Sequence, residues 1–193
     1  LGLGGDDTLD GGDGNDQLRG DSGPTYTGPS GNDTLVGGAG NDIMWGGAGV
    51  DSYDGGDGTD RVSFYALNAT QGAVVNLFTQ TVSNDGFGNA ETMLSVEGLG
   101  GGTAYAATFI GDDNPNLILA ENGDTVHANG GDDTFQLSGG PALIDGGAGV
   151  DTIIAFTGDT TGALTPDTTG DGLAELVFAS QGVSVDLRTN QIL

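Results

Sequence analysis

The sequence predicts an all-β fold, a solenoid in which each coil consists of two short strands and two glycine-rich turns. Three observations predict it. A glycine-rich turn ending in aspartate recurs every nine residues, three residues with an apolar one in the middle follow each turn, and 40 of the 193 residues are glycine. A nine-residue period fits neither an ordinary helix nor a hairpin, whereas a stacked unit of one strand and one turn explains it.

The first repeat block is expected at residues 1–63 and holds six copies of this unit. They begin at Gly2, Gly11, Gly20, Gly37, Gly46 and Gly55. The third copy becomes regular once residues 23–30 are taken as a surface loop insertion. The middle residues of the strands should point inward, and these are Leu9, Leu18, Leu35, Met44, Tyr53 and Val62. Glycines in the turns permit positive φ angles and close approach between successive coils.

The turn-end aspartates are predicted to form two columns. Two units complete one coil, so units i and i+2 lie one above the other. One edge should carry Asp7, Asp33 and Asp51, and the other Asp16, Asp42 and Asp60. Columns of carboxylates at strand spacing repel unless a cation lies between them. Backbone carbonyls of the turns that begin at Gly11, Gly37, Gly46 and Gly55 would supply further oxygens. An irregular cage of only oxygen ligands indicates several calcium ions rather than zinc, copper or magnesium.

This repeat, GGxGxDxUx with U a large apolar residue, resembles the calcium-binding nonapeptide of the RTX (hemolysin-type) proteins. The resemblance is specific and covers residues 2–63. It implies a right-handed parallel β-roll (β-solenoid) with calcium in the turns. It also implies a secreted or cell-surface protein of a Gram-negative bacterium that leaves the cell through a type I channel.

A second, degenerate block is expected at residues 99–154, after a strand-rich spacer at 64–98 that contains the alternating segment Gly72–Leu77. Its inward residues would be Phe109, Leu117 or Ile118, Val126, Phe135, Ile144 and Ile153. One edge would carry Asn116, Asp133 and Asp151, and the other Ala107, Asp124 and Ala142. Calcium is expected above all between Asp133 and Asp151. The turn of Asp124, a further candidate ligand, has alanine on either side and should hold no ion, or only water or another ligand. The alternative is that this block is a glycine-rich loop.

Residues 155–193 are expected to form a second spacer or capping strands, with Gly182–Leu187 resembling Gly72–Leu77. This spacer stops in mid-pattern, and the chain lacks an initiating Met, so we expect a fragment of a larger secreted protein. Residues 167–175 (DTTGDGLAE) have the spacing of a calcium loop, but Phe178 stands where its bidentate Glu is needed. A plain turn is the favoured interpretation there.

Composition excludes several functions. The chain has no lysine, three arginines and a net charge of −25, so phosphate-rich nucleic acids are excluded and anionic membranes are disfavoured. It has no cysteine, hence no disulfide or thiol chemistry. The combination of high acidity, abundant glycine and few apolar residues predicts an unfolded or loose chain without calcium. We expect a monomer that inserts into no membrane.

No catalytic motif is recognised, and we expect a module that is not an enzyme. His127, the single histidine, is predicted to lie on the surface. Trp45 should face outward, either packed under the 64–98 spacer or available to stack on a sugar. The alternative function is therefore an adhesin segment or a carbohydrate-binding accessory module, with Trp45, Tyr26 and Tyr53 nearest the glycan, or contact with other domains of the parent protein.

Overall fold

The computed structural model describes residues 1–21, 30–65, 68–101, 105–121, 123–138 and 142–155, and three further strands after them. These described parts contain strands and turns, and none of their segments is a helix with the length and hydrophobicity to cross a membrane. The strands in chain order are β1 Thr8–Asp13, β2 Gln17–Arg19, β3 Thr34–Ala39, β4 Ile43–Trp45, β5 Ser52–Asp57, β6 Arg61–Ser63, β7 Val74–Asn76, β8 Thr81–Asn84, β9 Glu91–Leu94, β10 Gly98–Gly100, β11 Thr108–Ile110, β12 Leu117–Ala120, β13 Thr125–His127, β14 Thr134–Leu137, β15 Leu143–Asp145, β16 Thr152–Ala155, β17 Gly162–Thr165, β18 Ala174–Phe178 and β19 Val183–Leu187.

These strands form two sheets. The first has the order β1-β3-β5-β9-β8-β7-β11-β13-β15-β19-β18-β17, and the second has the order β2-β4-β6-β10-β12-β14-β16. In the first block alternate strands enter alternate sheets, and each strand pairs in parallel with the strand two units later. The predicted β-roll, with two nine-residue units to a coil, is confirmed.

The strand register also locates the insertion. Asp7 and Asp33 are 26 residues apart, whereas Asp33 and Asp51, the next pair in the same column, are 18 apart. The first spacing is longer by the length of the predicted loop at 23–30, most of which lies outside the described residues. Thr8 nevertheless pairs with Thr34 in regular parallel register.

The core is a single line of side chains between the two sheets. The middle residue of each three-residue strand points inward because successive side chains alternate between the faces of a sheet. Leu35, Met44 and Val62 are fully buried, and so are the corresponding residues of the second block, Phe109, Ile118, Val126, Phe135 and Ile144. Leu9 and Ile153, near the two ends of the line, are partly buried against it. The predicted inward residues are thus confirmed, with Ile118 rather than Leu117.

Residues 64–98 do not interrupt either sheet. Strands β7 and β8 form an antiparallel pair inside the first sheet, and β8 also pairs antiparallel with β9. In the second sheet β10 pairs in parallel with β6 on one side and with β12 on the other. The predicted strand segments 72–77 and 182–187 correspond to β7 and β19. The division of the chain at residues 63, 98 and 154 stays a prediction.

Candidate metal centre

The turn-end residues of the first sheet form a column that we call edge A: Asp7, Asp33 and Asp51. The backbone N–H of Asp7 donates a hydrogen bond to Oδ1 of Asp33 (2.9 Å), and the N–H of Asp33 donates to Oδ1 of Asp51 (2.8 Å). Each carboxylate therefore reaches towards the coil before it. The column predicted from the nine-residue period exists in the structure.

The corresponding column of the second sheet, edge B, begins with Asp16, Asp42 and Asp60. The N–H of Asp16 donates to Oδ1 of Asp42, and the N–H of Asp42 donates to Oδ1 of Asp60, both at 2.7 Å. The two edges thus use one arrangement, in which Oδ1 is held by a backbone amide of the neighbouring coil.

The other oxygen of these carboxylates is buried and has no hydrogen-bond partner. This holds for Oδ2 of Asp16, Asp33, Asp42, Asp51, Asp60 and Asp133. Burial raises the pKa of Asp51 to about 6 and that of Asp133 to about 7, and it also raises the pKa of Asp33 and Asp60. Buried anionic oxygens are rarely left unpaired in proteins, because the desolvation cost is large. The orphaned oxygens therefore point to a cation.

The first glycine of each turn keeps the space beside the free oxygen open. A Cβ at Gly37 would collide with Oδ2 of Asp42 and lie 2.5 Å from the carbonyl oxygen of Gly55 in the next coil. The same relation holds at Gly20, where a Cβ would meet Asp33 and the carbonyl oxygen of Gly46. Each space is thus lined by a carboxylate of one coil and a carbonyl of the next.

This donor set fits calcium. It offers only oxygen atoms, from carboxylates and backbone carbonyls, which suits the flexible oxygen coordination of Ca²⁺. Across the part of the chain that the structure describes, no three acidic or histidine side chains converge on one point. An ion would therefore take many of its ligands from backbone carbonyls, as the glycine-rich turns predict.

A second ladder, which sequence reasoning missed, runs along the residue before each turn-end Asp. Backbone N–H groups of Asn41 and Thr59 donate to the side-chain Oδ1 of Asn15 and Asn41 at 2.9 and 3.0 Å, and Val150 donates to Asp132 at 2.8 Å. The recurrence of Asn or Asp at the fifth position of the turns was the available signal. These side chains fix the stacking of the turns.

The second block keeps the ladder on edge B. The N–H of Asn116 donates to Oδ1 of Asp133 (2.8 Å), and the N–H of Asp133 donates to Oδ1 of Asp151 (3.0 Å). The amide group of Asn116 is used within its own turn: Oδ1 accepts the N–H of Asp112 at 2.9 Å, and Nδ2 donates to a carboxylate oxygen of Asp112 at 3.0 Å. The free oxygen of this column therefore lies at Asp133.

Asp124, on edge A, differs from the other turn-end aspartates. Its Oδ1 accepts the N–H of Ala107 and its Oδ2 accepts the N–H of Glu121, both at 2.7 Å. Burial raises its pKa to about 6, but backbone amides satisfy both of its oxygens. Asp124 thus closes its own turn, and we leave it out of the proposed ligands.

Two glutamates that sequence reasoning missed continue the columns beyond the repeats. Oε1 of Glu91 accepts the N–H of Asp51 at 3.4 Å, and Oε2 of Glu97 accepts the N–H of Asp60 at 3.0 Å. Glu91 also accepts the hydroxyl of Tyr53 at 3.2 Å, and burial raises its pKa to about 10. Neither glutamate falls on the nine-residue period, so the repeat could not reveal them.

The aromatic residues considered for glycan binding are placed differently from the expectation. Tyr53 is buried, so its assignment to a glycan surface is wrong, because its hydroxyl faces Glu91 inside the roll. Trp45 is half-buried, with the Arg19 guanidinium 4.1 Å from its ring centroid. Tyr26 lies outside the described residues, and so do residues 167–173 of the calcium-loop pattern. His127 is exposed, as predicted, 3.8 Å from Asp145.

A comparison with protein families agrees with this geometry. The family model for the RTX calcium-binding nonapeptide repeat matches the chain in four copies, over residues 1–24, 27–62 and 117–141. A comparison with curated proteins found no match. The matched segments fall in the first block and in the predicted degenerate block. This repeat is a calcium-binding structural element and not a catalytic one.

Proposed function

We propose that this RTX repeat protein is a calcium-dependent structural module, which folds when calcium enters the turns of its β-roll. The observation that carries the proposal is the row of buried, unpartnered carboxylate oxygens. Those of Asp16, Asp33, Asp42 and Asp60 each lie beside a carbonyl oxygen of the next coil. Calcium would supply the positive charge that the structure otherwise lacks at these points.

The proposed ligands follow from this geometry. They are carboxylates of Asp7, Asp16, Asp33, Asp42, Asp51, Asp60, Asp133 and Asp151, with backbone carbonyls in the turns that begin at Gly11, Gly37, Gly46 and Gly55. Asn116 would help to stack the turns of edge B, but it would supply no charged oxygen to an ion. In the second block the proposed calcium site lies between Asp133 and Asp151, the pair that the sequence favours.

Folding should depend on the ion because the chain has little else to hold it together. Glycine loses more conformational freedom on folding than any other residue, and the net charge of −25 opposes compaction. A ligand that binds only the folded state stabilises it in proportion to the logarithm of its concentration. Extracellular calcium modules bind with dissociation constants of about 10⁻⁴ to 10⁻³ M, so folding would follow export into a calcium-rich medium.

We extend this proposal to the cellular setting. RTX repeat proteins are typically secreted by Gram-negative bacteria, and we propose the same route for the larger protein of which this chain would be a part. The chain would leave the cell unfolded, at low cytosolic calcium, and become a rigid support outside. The carbohydrate-binding alternative gains no support from the structure, since Tyr53 is buried and Arg19 lies over Trp45.

The test is far-UV circular dichroism of the chain against free calcium, with magnesium as the control ion. The titration runs from EDTA to about 10 mM, roughly tenfold above the weakest dissociation constants of extracellular modules. A cooperative gain of β signal in calcium alone supports the proposal. A sheet that is fully formed in EDTA and unchanged by calcium would contradict it, because the strand ladder would then be self-sufficient.

A further inference from the structure

The junction between the last regular repeat and the spacer reproduces a repeat site in which two residues from outside the repeats complete the last repeat turn. On edge B the coil after β6 is completed by β10, which pairs with β6 in parallel register. Glu97 immediately precedes β10, at the place where a turn-end Asp precedes each repeat strand. Its Oε2 accepts the N–H of Asp60 at 3.0 Å, as Oδ1 does in the repeats.

Ser95 supplies the second feature of a repeat site at this junction. In the repeats, the space beside the free carboxylate oxygen is lined by the carbonyl of the first glycine in the next coil. Here a Cβ at Gly55 would meet the carbonyl oxygen of Ser95 together with Oδ2 of Asp60. Ser95 has a φ of 51°, a conformation that side chains other than Gly, Asn and Asp seldom adopt. This backbone conformation belongs to the short turn that presents the carbonyl.

Asp60 provides an independent indication of a ligand. The residue is fully buried, and its Oδ2 has no hydrogen-bond partner. The neighbouring Arg61 does not pair with this oxygen, and its Nε, near Gly100, is itself buried without a partner. The free oxygen is therefore directed into a space lined by the Ser95 carbonyl, with the Glu97 carboxylate at the same turn.

Edge A ends differently. A Cβ at Gly46 would meet Oδ2 of Asp51 and the hydroxyl of Tyr53, so a side-chain hydroxyl stands where the other turns present a carbonyl. That hydroxyl donates to Glu91, which is itself buried. The two edges thus differ after the last repeat. On edge A the Tyr53 hydroxyl takes the place of the carbonyl oxygen, whereas on edge B a free carboxylate oxygen and a carbonyl oxygen are both present.

We propose an additional calcium site at the end of the first repeat block, formed by Oδ2 of Asp60, the last aspartate of that block, together with the carbonyl oxygen of Ser95 and the carboxylate of Glu97 from outside the repeats. The inference rests on the proposed function, since it extends the same coordination by one coil. The site would join the two repeat blocks, because β10 also pairs in parallel with β12, the first edge-B strand of the second block.

The test compares the number of calcium ions bound at saturation by the full chain, by Glu97→Gln and by Glu91→Gln. Equilibrium dialysis with ⁴⁵Ca gives the count, and circular dichroism in calcium verifies folding. Glutamine keeps an acceptor oxygen for the backbone amide and removes the carboxyl group. We expect Glu97→Gln to bind one ion fewer than the parent chain and Glu91→Gln, the matched control on edge A, to bind the same number.

Each outcome bears on the inference. An unchanged count in folded Glu97→Gln would refute the site, and so would an equal loss in both variants. If Glu97→Gln fails to fold in calcium, Glu97→Asp, which keeps a carboxylate, is measured instead. If this variant folds and binds as many calcium ions as the parent chain, the result supports the site. If it fails to fold, the result refutes a role for Glu97 that is based on charge. A parent chain that binds no calcium would overturn the proposed function itself, which separates the two failures.

Discussion

Asp133 and Asp124 are two buried turn-end aspartates that should respond to calcium in opposite ways when their charge is removed. Asp133 has a free Oδ2, whereas backbone amides hold both oxygens of Asp124. Substitution by asparagine keeps the size of the side chain. We therefore expect Asp133→Asn to remove a calcium site and Asp124→Asn to break a turn without changing the number of ions bound.

The magnitudes follow from linkage and from hydrogen bonding. If the variant binds one ion fewer, its loss of stability relative to the parent chain grows by about 1.4 kcal/mol for each tenfold rise in free calcium. Asp124→Asn places an NH₂ group against a backbone N–H of Ala107 or Glu121, which leaves a buried donor unsatisfied at a cost of about 1–3 kcal/mol. This second cost is the same at every calcium concentration.

Urea unfolding at 1, 3, 10 and 30 mM free calcium, all chosen to span and exceed the roughly millimolar range of extracellular modules, measures both quantities. We expect diverging free-energy lines for Asp133→Asn and parallel ones for Asp124→Asn. A constant offset for Asp133→Asn would show that its free oxygen holds no ion. An offset that grows with calcium for Asp124→Asn would show that the satisfied carboxylate is a ligand after all.

Three further predictions test other parts of the roll. Gly37→Ala should destabilise the calcium-bound fold by about 1–3 kcal/mol, the usual cost of overpacking, and so raise the calcium midpoint of folding, because its Cβ fills the space beside a free carboxylate oxygen. Gly101→Ala, whose Cβ would have its nearest neighbour at 3.4 Å, should leave the midpoint unchanged. In EDTA the fold should gain stability as the pH falls from about 7 to about 4. The reason is that groups such as Asp51, with a pKa of about 6, bind more protons in the folded chain than in the unfolded chain. A β signal that only declines as acid is added would contradict this. Arg19→Gln should red-shift the emission of Trp45 in calcium by uncovering its ring; an unchanged spectrum would show that the cation–π contact does not shield it.

The sequence predicted those parts of the fold that repeat. A constant nine-residue period determines which turns stack, and a three-residue strand has only one inward position, so the period alone assigns Leu35 and Met44 to the core. The register is kept across the insertion at 23–30, since Thr8 pairs with Thr34 in regular parallel register. Periodicity was thus sufficient for the columns of edges A and B.

Features that do not follow the nine-residue period could not be predicted from it. Glu97 lies 37 residues after Asp60, and the antiparallel pair β7–β8 comes between them, so no fixed spacing connects the two. The alanines on either side of Asp124 predicted that its turn would hold no ion, but the period did not reveal the local hydrogen bond from Glu121 that satisfies its second oxygen. The role of Tyr53 depends likewise on Glu91, a distant partner from the spacer.

The balance of energies within one coil explains why the columns should need an ion. Two carboxylates at the strand spacing of about 4.8 Å repel by about 3–4 kcal/mol at an effective dielectric constant of about 20. Burying one inward side chain such as Leu35 or Val62 contributes only about 1.5–3 kcal/mol. Each strand adds one such side chain and one such pair, so repulsion offsets the core before the entropy of the glycines is counted. An ion between two coils relieves both of its carboxylates, and Asp33, with a neighbour above and below, shares in two such spaces. Folding of one coil around an ion also positions the carboxylate that lines the next space, so calcium should enter each column cooperatively.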